Sequence, residues 1–276
     1  MDWNLLHSLI FGILSGFAEF LPVSAEAHQI LFGVFTGAGQ EIAGFRLACR
    51  VGALLALLLS CRPQLARLRR ERRLAAIPAK RRKRHPDLQS MRDLRVLKTA
   101  AVPLLLALVA YPWLLAWINP LWVLAPLMAI NGVLLYIPRV RRVGNKDSRH
   151  MSFLDSLFQG IGAAVGAVPG LSRLGCAATA AQLIGADLQA SVELVLVLCV
   201  PALFILTGLD AYLAVSASVL SLGYILHYVA AAAASAVSAY FGIVLIRFLA
   251  VREGFSAFSY YCWGAALLTF ILYLMI

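Results

Sequence analysis

The sequence predicts an all-α polytopic membrane protein, an inverted-topology repeat in which each half is a re-entrant helical hairpin followed by three transmembrane helices. Three observations predict it. Of the 276 residues, 62% are hydrophobic and 13% charged, with a mean hydropathy of +0.84, whereas soluble domains sit near half apolar and a quarter charged. The apolar residues fall in runs that suit a hydrocarbon core about 30 Å thick, on the order of 20 residues per crossing. Two of the runs are broken by a Pro and polar residues, one in each half of the chain. This composition excludes disorder, a secreted disulfide scaffold and a typical cytosolic enzyme.

The first half is residues 1–138. It opens with a hairpin over 3–36: an apolar arm, then Glu19, Pro22, Ser24, Glu26 and His28, then a short apolar return. Neither arm is long enough to cross, so the pair reads as re-entrant. A span follows over 42–61 with Arg46 and Arg50 inside it. A basic loop occupies 62–98. Spans over 99–117 and 121–138 are joined by a turn at Asn119-Pro120. A basic linker, 139–150, leads to the second half, 151–276. There a hairpin over 152–186 turns at Pro169-Gly170-Leu171-Ser172-Arg173-Leu174-Gly175. Spans follow over 189–208, with Glu193 near its start, over 219–246 and over 256–276, and Asp210 marks the far side of the first of them. Ser8-Leu9 and Gly12-Ile13 recur at the same spacing as Ser156-Leu157 and Gly160-Ile161, and Pro22 and Ser24 answer to Pro169 and Ser172. An odd number of crossings separates the two hairpins, so they enter from opposite sides. Such folds place a polar site where broken segments meet.

The net charge of +11 is concentrated. Residues 62–98 hold fourteen Lys or Arg against Glu71, Asp87 and Asp93, and residues 139–149 add Arg139, Arg141, Arg142, Lys146 and Arg149. These stretches predict cytoplasmic loops lying against anionic phospholipids. With no aromatic residues interleaved in the basic run, nucleic acid is not an expected partner. The five cysteines, Cys49, Cys61, Cys176, Cys199 and Cys262, lie in or beside apolar stretches without CxxC spacing and read as packing residues. The first apolar stretch lacks a basic leader and carries Glu19 and His28, so it does not read as a removable signal peptide.

Ionisable residues in lipid are expensive and usually functional. Glu19, Glu26, His28, Arg46, Arg50, Arg173 and Glu193 all fall within the predicted membrane segments. One reading is mutual neutralisation, acid–base pairs that lock the hairpins to their neighbours. The other is a site. The second tip offers backbone N–H groups freed by Gly170 and Gly175, the Ser172 hydroxyl and the Arg173 guanidinium, a phosphate cradle by composition; as a structural feature alone it is a Gly-Pro turn with Arg173 snorkelling. The first tip offers carboxylates for a divalent metal, and a hydroxyl or imidazole for attack on phosphorus or proton transfer. His7 and His227 read as core residues. Together the tips describe a phosphoryl site inside a bilayer, suited to an amphiphile with a phosphate head and a lipid tail.

Glu19-Phe20-Leu21-Pro22-Val23-Ser24 with His28 resembles the first signature of the undecaprenyl-pyrophosphate phosphatase, or bacitracin-resistance, family, and Pro169 to Gly175 resembles the second. The likeness continues through Phe45, Gly52, Asn119-Pro120, Glu193 and Pro201 and covers nearly the whole chain. It implies removal of the terminal phosphate from a C55 polyprenyl diphosphate to give the monophosphate carrier for peptidoglycan and other envelope polymers, in the bacterial inner (cytoplasmic) membrane. A divalent cation, magnesium or calcium, would assist. By position, Glu19, Ser24, His28 and Arg173 would be catalytic, and Gly170, Ser172 and Gly175 would hold phosphate, with Arg46 and Arg50 as candidate phosphate-binding residues of this chain's own. Glu19 and Glu26 would be the metal carboxylates, and a homodimer is a further expectation. The chain departs from the family pattern at Ser15 (usually Glu), Ala25 (Ser), Glu26-Ala27 (Thr-Gly), Arg46 and Arg50 (an acid and a Gln) and Leu174 (Ser). Arg46 and Arg50 then stand either as phosphate clamps in place of a metal or as marks of a non-catalytic flippase or lipid-phosphate binding protein on the same fold.

Overall fold

The computed structural model describes residues 4–38, 42–118, 120–140, 144–252 and 254–276. Asn119 of the expected turn and Arg141 and Arg142 of the basic linker lie outside the described residues. Ten α-helices are described: α1 Leu5–Phe20, α2 Ala25–Thr36, α3 Ile42–Ala76, α4 Leu88–Ile118, α5 Leu121–Tyr136, α6 Phe153–Val165, α7 Arg173–Leu183, α8 Leu188–Ser216, α9 Ile225–Val251 and α10 Ala257–Met275. Six of them, α3, α4, α5, α8, α9 and α10, are long and apolar enough to cross a membrane. The chain is therefore an all-α multi-pass membrane protein. The pairs α1–α2 and α6–α7 are the two hairpins, each arm 16 residues or shorter.

The arms start and stop for local reasons. Asn4 caps α1 by accepting from the His7 N–H (2.8 Å), and Ser152 caps α6 by accepting from the Asp155 N–H (3.1 Å); each completes a reciprocal capping box. Ser8 and Ser156 each donate to the carbonyl four residues back. Leu21, ahead of Pro22, is extended and ends α1. Ser24 caps α2 by accepting from the Ala27 N–H (3.2 Å), and Ser172 caps α7 by accepting from the Gly175 N–H (3.1 Å).

The expected basic loop over 62–98 is mostly helix. α3 runs on to Ala76 and α4 begins at Leu88, which leaves only 77–87 between them. The Arg, Leu, Ala and Glu residues after Pro63 are good helix formers, and Arg82 folds back to donate to the Ala75 and Ile77 carbonyls (both 2.5 Å), satisfying the end of α3. With 35 residues, α3 is about 52 Å long at 1.5 Å per residue, well beyond the bilayer's apolar thickness. α8 and α9 are likewise longer than, or shifted from, their expected spans of 189–208 and 219–246.

Packing crosses between the halves. α1 lies along α9, and α6 lies along α4; α3 packs on α8 and α9, and α5 on α10. Close approach explains two glycines. A Cβ on Gly12 would run into the Ala231 carbonyl of α9, and one on Gly160 into the Ala100 carbonyl of α4. The main core gathers Phe20, Leu57, Leu104, Leu196 and Leu203 from four elements, each almost wholly withdrawn from solvent or lipid. All five cysteines are buried and unpaired by disulfide.

Candidate active site

The two hairpin tips touch. The Ser24 hydroxyl, already capping α2, also accepts from the Gly170 N–H (2.9 Å). Gly170 has φ of +97°, a left-handed backbone that favours glycine, and this turns its N–H toward the first tip. Ser172 donates to the Leu21 carbonyl (3.3 Å). Asn131 of α5 spans the junction: its amide donates to the Pro22 carbonyl (3.1 Å) and its Oδ1 accepts from the Ser172 N–H (3.0 Å).

Beside this junction lies a buried ionic cluster. Arg173, first residue of α7, donates to the Glu19 carboxylate in the last turn of α1 and lies 3.9 Å from Glu26. Glu26 also accepts from Arg50 Nη2 (3.4 Å) and from the Tyr111 hydroxyl (3.2 Å). Arg50 sits 2.9 Å from Asp210 of α8, and Arg46, one turn earlier on α3, sits 3.5 Å from the same carboxylate. Three guanidiniums and three carboxylates from α1, α2, α3, α7 and α8 thus share one region. Arg50 and Asp210 are 2% and 1% exposed, so the cluster is out of reach of bulk screening. Such arrays cost desolvation that their mutual attraction only partly returns.

Of the expected site residues, Glu19, Glu26, Arg46, Arg50 and Arg173 come together here, with Ser24, Gly170, Ser172 and Gly175 forming the backbone wall next to them. His28 takes another direction. Its Nδ1 donates to the Ser24 carbonyl (2.6 Å), because a carbonyl only accepts, and its Nε2 then accepts from the Tyr261 hydroxyl (2.6 Å). The imidazole lies parallel to the Tyr261 ring and lines an apolar pocket of about 170 Å³ with Leu14, Phe17, Leu21, Val23 and Phe258. Glu193 is elsewhere again, held by Arg247 (2.8 and 3.1 Å) and Gln64 at the end of the molecule where the basic segments gather.

Sequence reasoning missed four members. Asp210 was expected at the far side of a span, but α8 continues through it and buries it against Arg46 and Arg50. An acid inside a helix-forming run could have signalled a membrane-buried partner for them. Tyr111, Asn131 and Tyr261 sit on one face of long apolar helices, where nothing in the spacing separates them from packing residues.

The expected metal carboxylates, Glu19 and Glu26, are both engaged by arginines. Among the described residues no group of three or more His, Cys, Asp or Glu side chains is placed to hold a metal ion.

Comparison with known proteins agrees with the geometry. The chain is 26% identical to an undecaprenyl-diphosphatase of Methanobrevibacter smithii over 97% of both chains. It is 28% identical to one of Rhizorhabdus wittichii over 95% of this chain and 94% of the relative. It is 30% identical to one of a Synechococcus species over 76% and 75%. The family described as "Bacitracin resistance protein BacA" matches residues 8–268, and the chain belongs to that family.

Proposed function

We propose that this member of the bacitracin resistance family is an integral-membrane phosphatase that hydrolyses undecaprenyl, or a related polyprenyl, diphosphate to the monophosphate carrier lipid and inorganic phosphate, serving envelope polymer synthesis and bacitracin resistance. The observation that carries the reading is the meeting of Arg173 with Glu19 between two broken helical hairpins, in a membrane fold. A soluble phosphate ester has no reason to seek such a place; a lipid diphosphate does.

The residues divide the work. Arg173, in the first turn of α7, receives the oxygens of the terminal phosphate, where a guanidinium fork and a helix N-terminus both favour anions. Phosphoryl transfer needs little covalent chemistry from protein, mostly positioning and charge stabilisation. Water attacks the terminal phosphorus, the bond to the bridging oxygen breaks, and the lipid monophosphate leaves. Glu19 is the carboxylate placed to take the water's proton and pass it on to a product oxygen. Ser24 and His28 hold the walls: the Ser24 oxygen accepts from two backbone N–H groups, and both His28 nitrogens are engaged. The apolar pocket beside His28 suits the first isoprene units.

The expected inverted repeat is part of the same reading. It is supported by the exchange of partners between halves, α1 on α9 and α6 on α4, and by the matched caps Ser24 and Ser172. The basic segments converge at one end, where Arg67 meets Asp93, Gln89 meets Ser148 and Arg95 reaches the Met151 carbonyl. That end would be cytoplasmic and would lie on anionic phospholipid, with the chain in the inner membrane.

The test is phosphate release by purified, folded protein from the C55 diphosphate. Release by the wild type that falls at least 100-fold in Arg173→Ala, on the order expected for one transition-state donor, supports the reading. Transbilayer movement of lipid phosphate without any release would replace it with the carrier reading.

A further inference from the structure

Building on the phosphatase reading, we infer that this chain binds the diphosphate through Arg46, Arg50 and Arg173 without a divalent cation. Two independent observations carry it.

The first is the donor set. A metal ion at Glu19 and Glu26 would have to take carboxylate oxygens already facing Arg173 and Arg50. In a buried region of low dielectric, those guanidiniums would repel a dication at distances close to those at which the carboxylates attract it. His28, the nearest neutral ligand type in the sequence, has both nitrogens bonded elsewhere. Asp210 lies between Arg46 and Arg50.

The second is a set of unused donors. Arg50 Nε and Nη1 and Arg46 Nε are buried and have no hydrogen-bond acceptor. Asp210 is near enough to interact by charge but is misaligned, and neither of its oxygens accepts a hydrogen bond. Unmet donors on a buried cation are costly, and a phosphate group brings several strong acceptor oxygens at once. Arg46 and Arg50 are four residues apart on α3 and so share one face. Arg50 and Arg173 both approach Glu26 Oε1, at 3.4 and 3.9 Å. A diphosphate entering there would exchange with the carboxylates for guanidinium donors, the terminal phosphate toward Arg173 and the other toward Arg50 and Arg46.

The experiment measures two things on chelator-treated, purified full-length protein. One is calorimetric binding of a short prenyl diphosphate probe in EDTA and in excess magnesium or calcium. The other is phosphate release from the C55 diphosphate under the same conditions. The inference expects the dissociation constant and the release rate to be the same in EDTA as with either cation. It also expects Arg50→Ala to weaken binding about 10- to 100-fold, the loss of a charge-assisted hydrogen-bonding partner. Because Arg50→Ala strands two acids, Arg50→Gln with Asp210→Asn, which removes one charge of each sign, is measured beside it and should show the same weakening. Binding or release that appears only when a cation is supplied overturns the inference and leaves the phosphatase reading standing. Tight binding in EDTA with no release under any condition keeps the inference and discards the phosphatase reading. Unchanged binding in the folded double variant overturns the assignment to Arg50.

Discussion

Arg173 and Glu19 lie 154 residues apart in the chain and pair directly in the fold. The contact ties the first turn of α7 to the last turn of α1, and with it one hairpin tip to the other. Removing one partner leaves a buried charge without its direct hydrogen-bonded counter-ion. Arg173→Ala should therefore destabilise by about 3–5 kcal/mol as well as abolish activity. Arg173→Lys, which keeps the charge and loses the fork, should recover much of the melting temperature and little of the phosphate release. Equal recovery of both would remove the guanidinium's special place.

Asn131 holds both tips at once, donating to Pro22 and accepting from Ser172. Asn131→Leu keeps the volume and strands a buried carbonyl and a buried N–H. The expected loss is about 2–5 kcal/mol, from two unsatisfied groups. Thermal unfolding in detergent reads it, and a change below 1 kcal/mol, the scale of an ordinary surface substitution, would show that the tips are held by other contacts.

The pocket beside His28 is assigned to the lipid tail. Leu21→Trp would fill it. The Michaelis constant for the C55 substrate should rise about tenfold, the scale of one or two lost methylene contacts, with the turnover number nearly unchanged. A fall in turnover alone would move the tail elsewhere.

Two glycines, one in α1 and one in α8, make opposite forecasts. Gly12 has no room for a side chain, since a Cβ meets the Ala231 carbonyl, whereas nothing lies within 4 Å of a Cβ on Gly208 of α8. Gly12→Leu should cost at least about 1–3 kcal/mol through overpacking. Gly208→Ala should gain about 0.5–1 kcal/mol through helix propensity. Comparison of the two melting temperatures with wild type checks both signs.

Asp87 caps α4, accepting from the Ser90 N–H (2.9 Å) and hydroxyl (2.6 Å). Those hydrogen bonds hold its carboxyl below the usual carboxylate range. A carboxyl lowered on folding contributes stability above its ordinary value near 4, and that contribution is lost as pH falls through the lower folded value. Amide protection factors at the start of α4, corrected for the intrinsic exchange rate at each pH, should thus be high at neutral pH and fall on acidification below that range. Asp87→Ala should show the lower protection already at neutral pH, together with quicker tryptic cleavage at Arg81 to Arg84. Identical protection in both proteins would show that the cap is idle.

Much of this fold is legible in the sequence because lipid removes alternatives: long apolar runs must be helices, and arms too short to cross must turn back. The two hairpins and all six long helices follow from that. The extension of α3 to Ala76 was hidden because charge density reads as loop until Arg82 and Glu71 are seen to satisfy the helix end and its neighbours. In the site, Glu19, Glu26, Arg46, Arg50 and Arg173 announce themselves by being charged where charge is costly. Asp210 was legible on the same ground but was read as a boundary. Asn131 and Tyr261 were not, since their roles depend on which carbonyl or imidazole a distant helix happens to present.

The placement of α1 against α9 has a consequence for biogenesis. α1 is made more than 200 residues before the helix it lies along, α9. Until then the amino-terminal arm, too short to cross the bilayer unaided and bearing a carboxylate near its end, has no settled berth. α1 accordingly completes its packing only once α9 is in place.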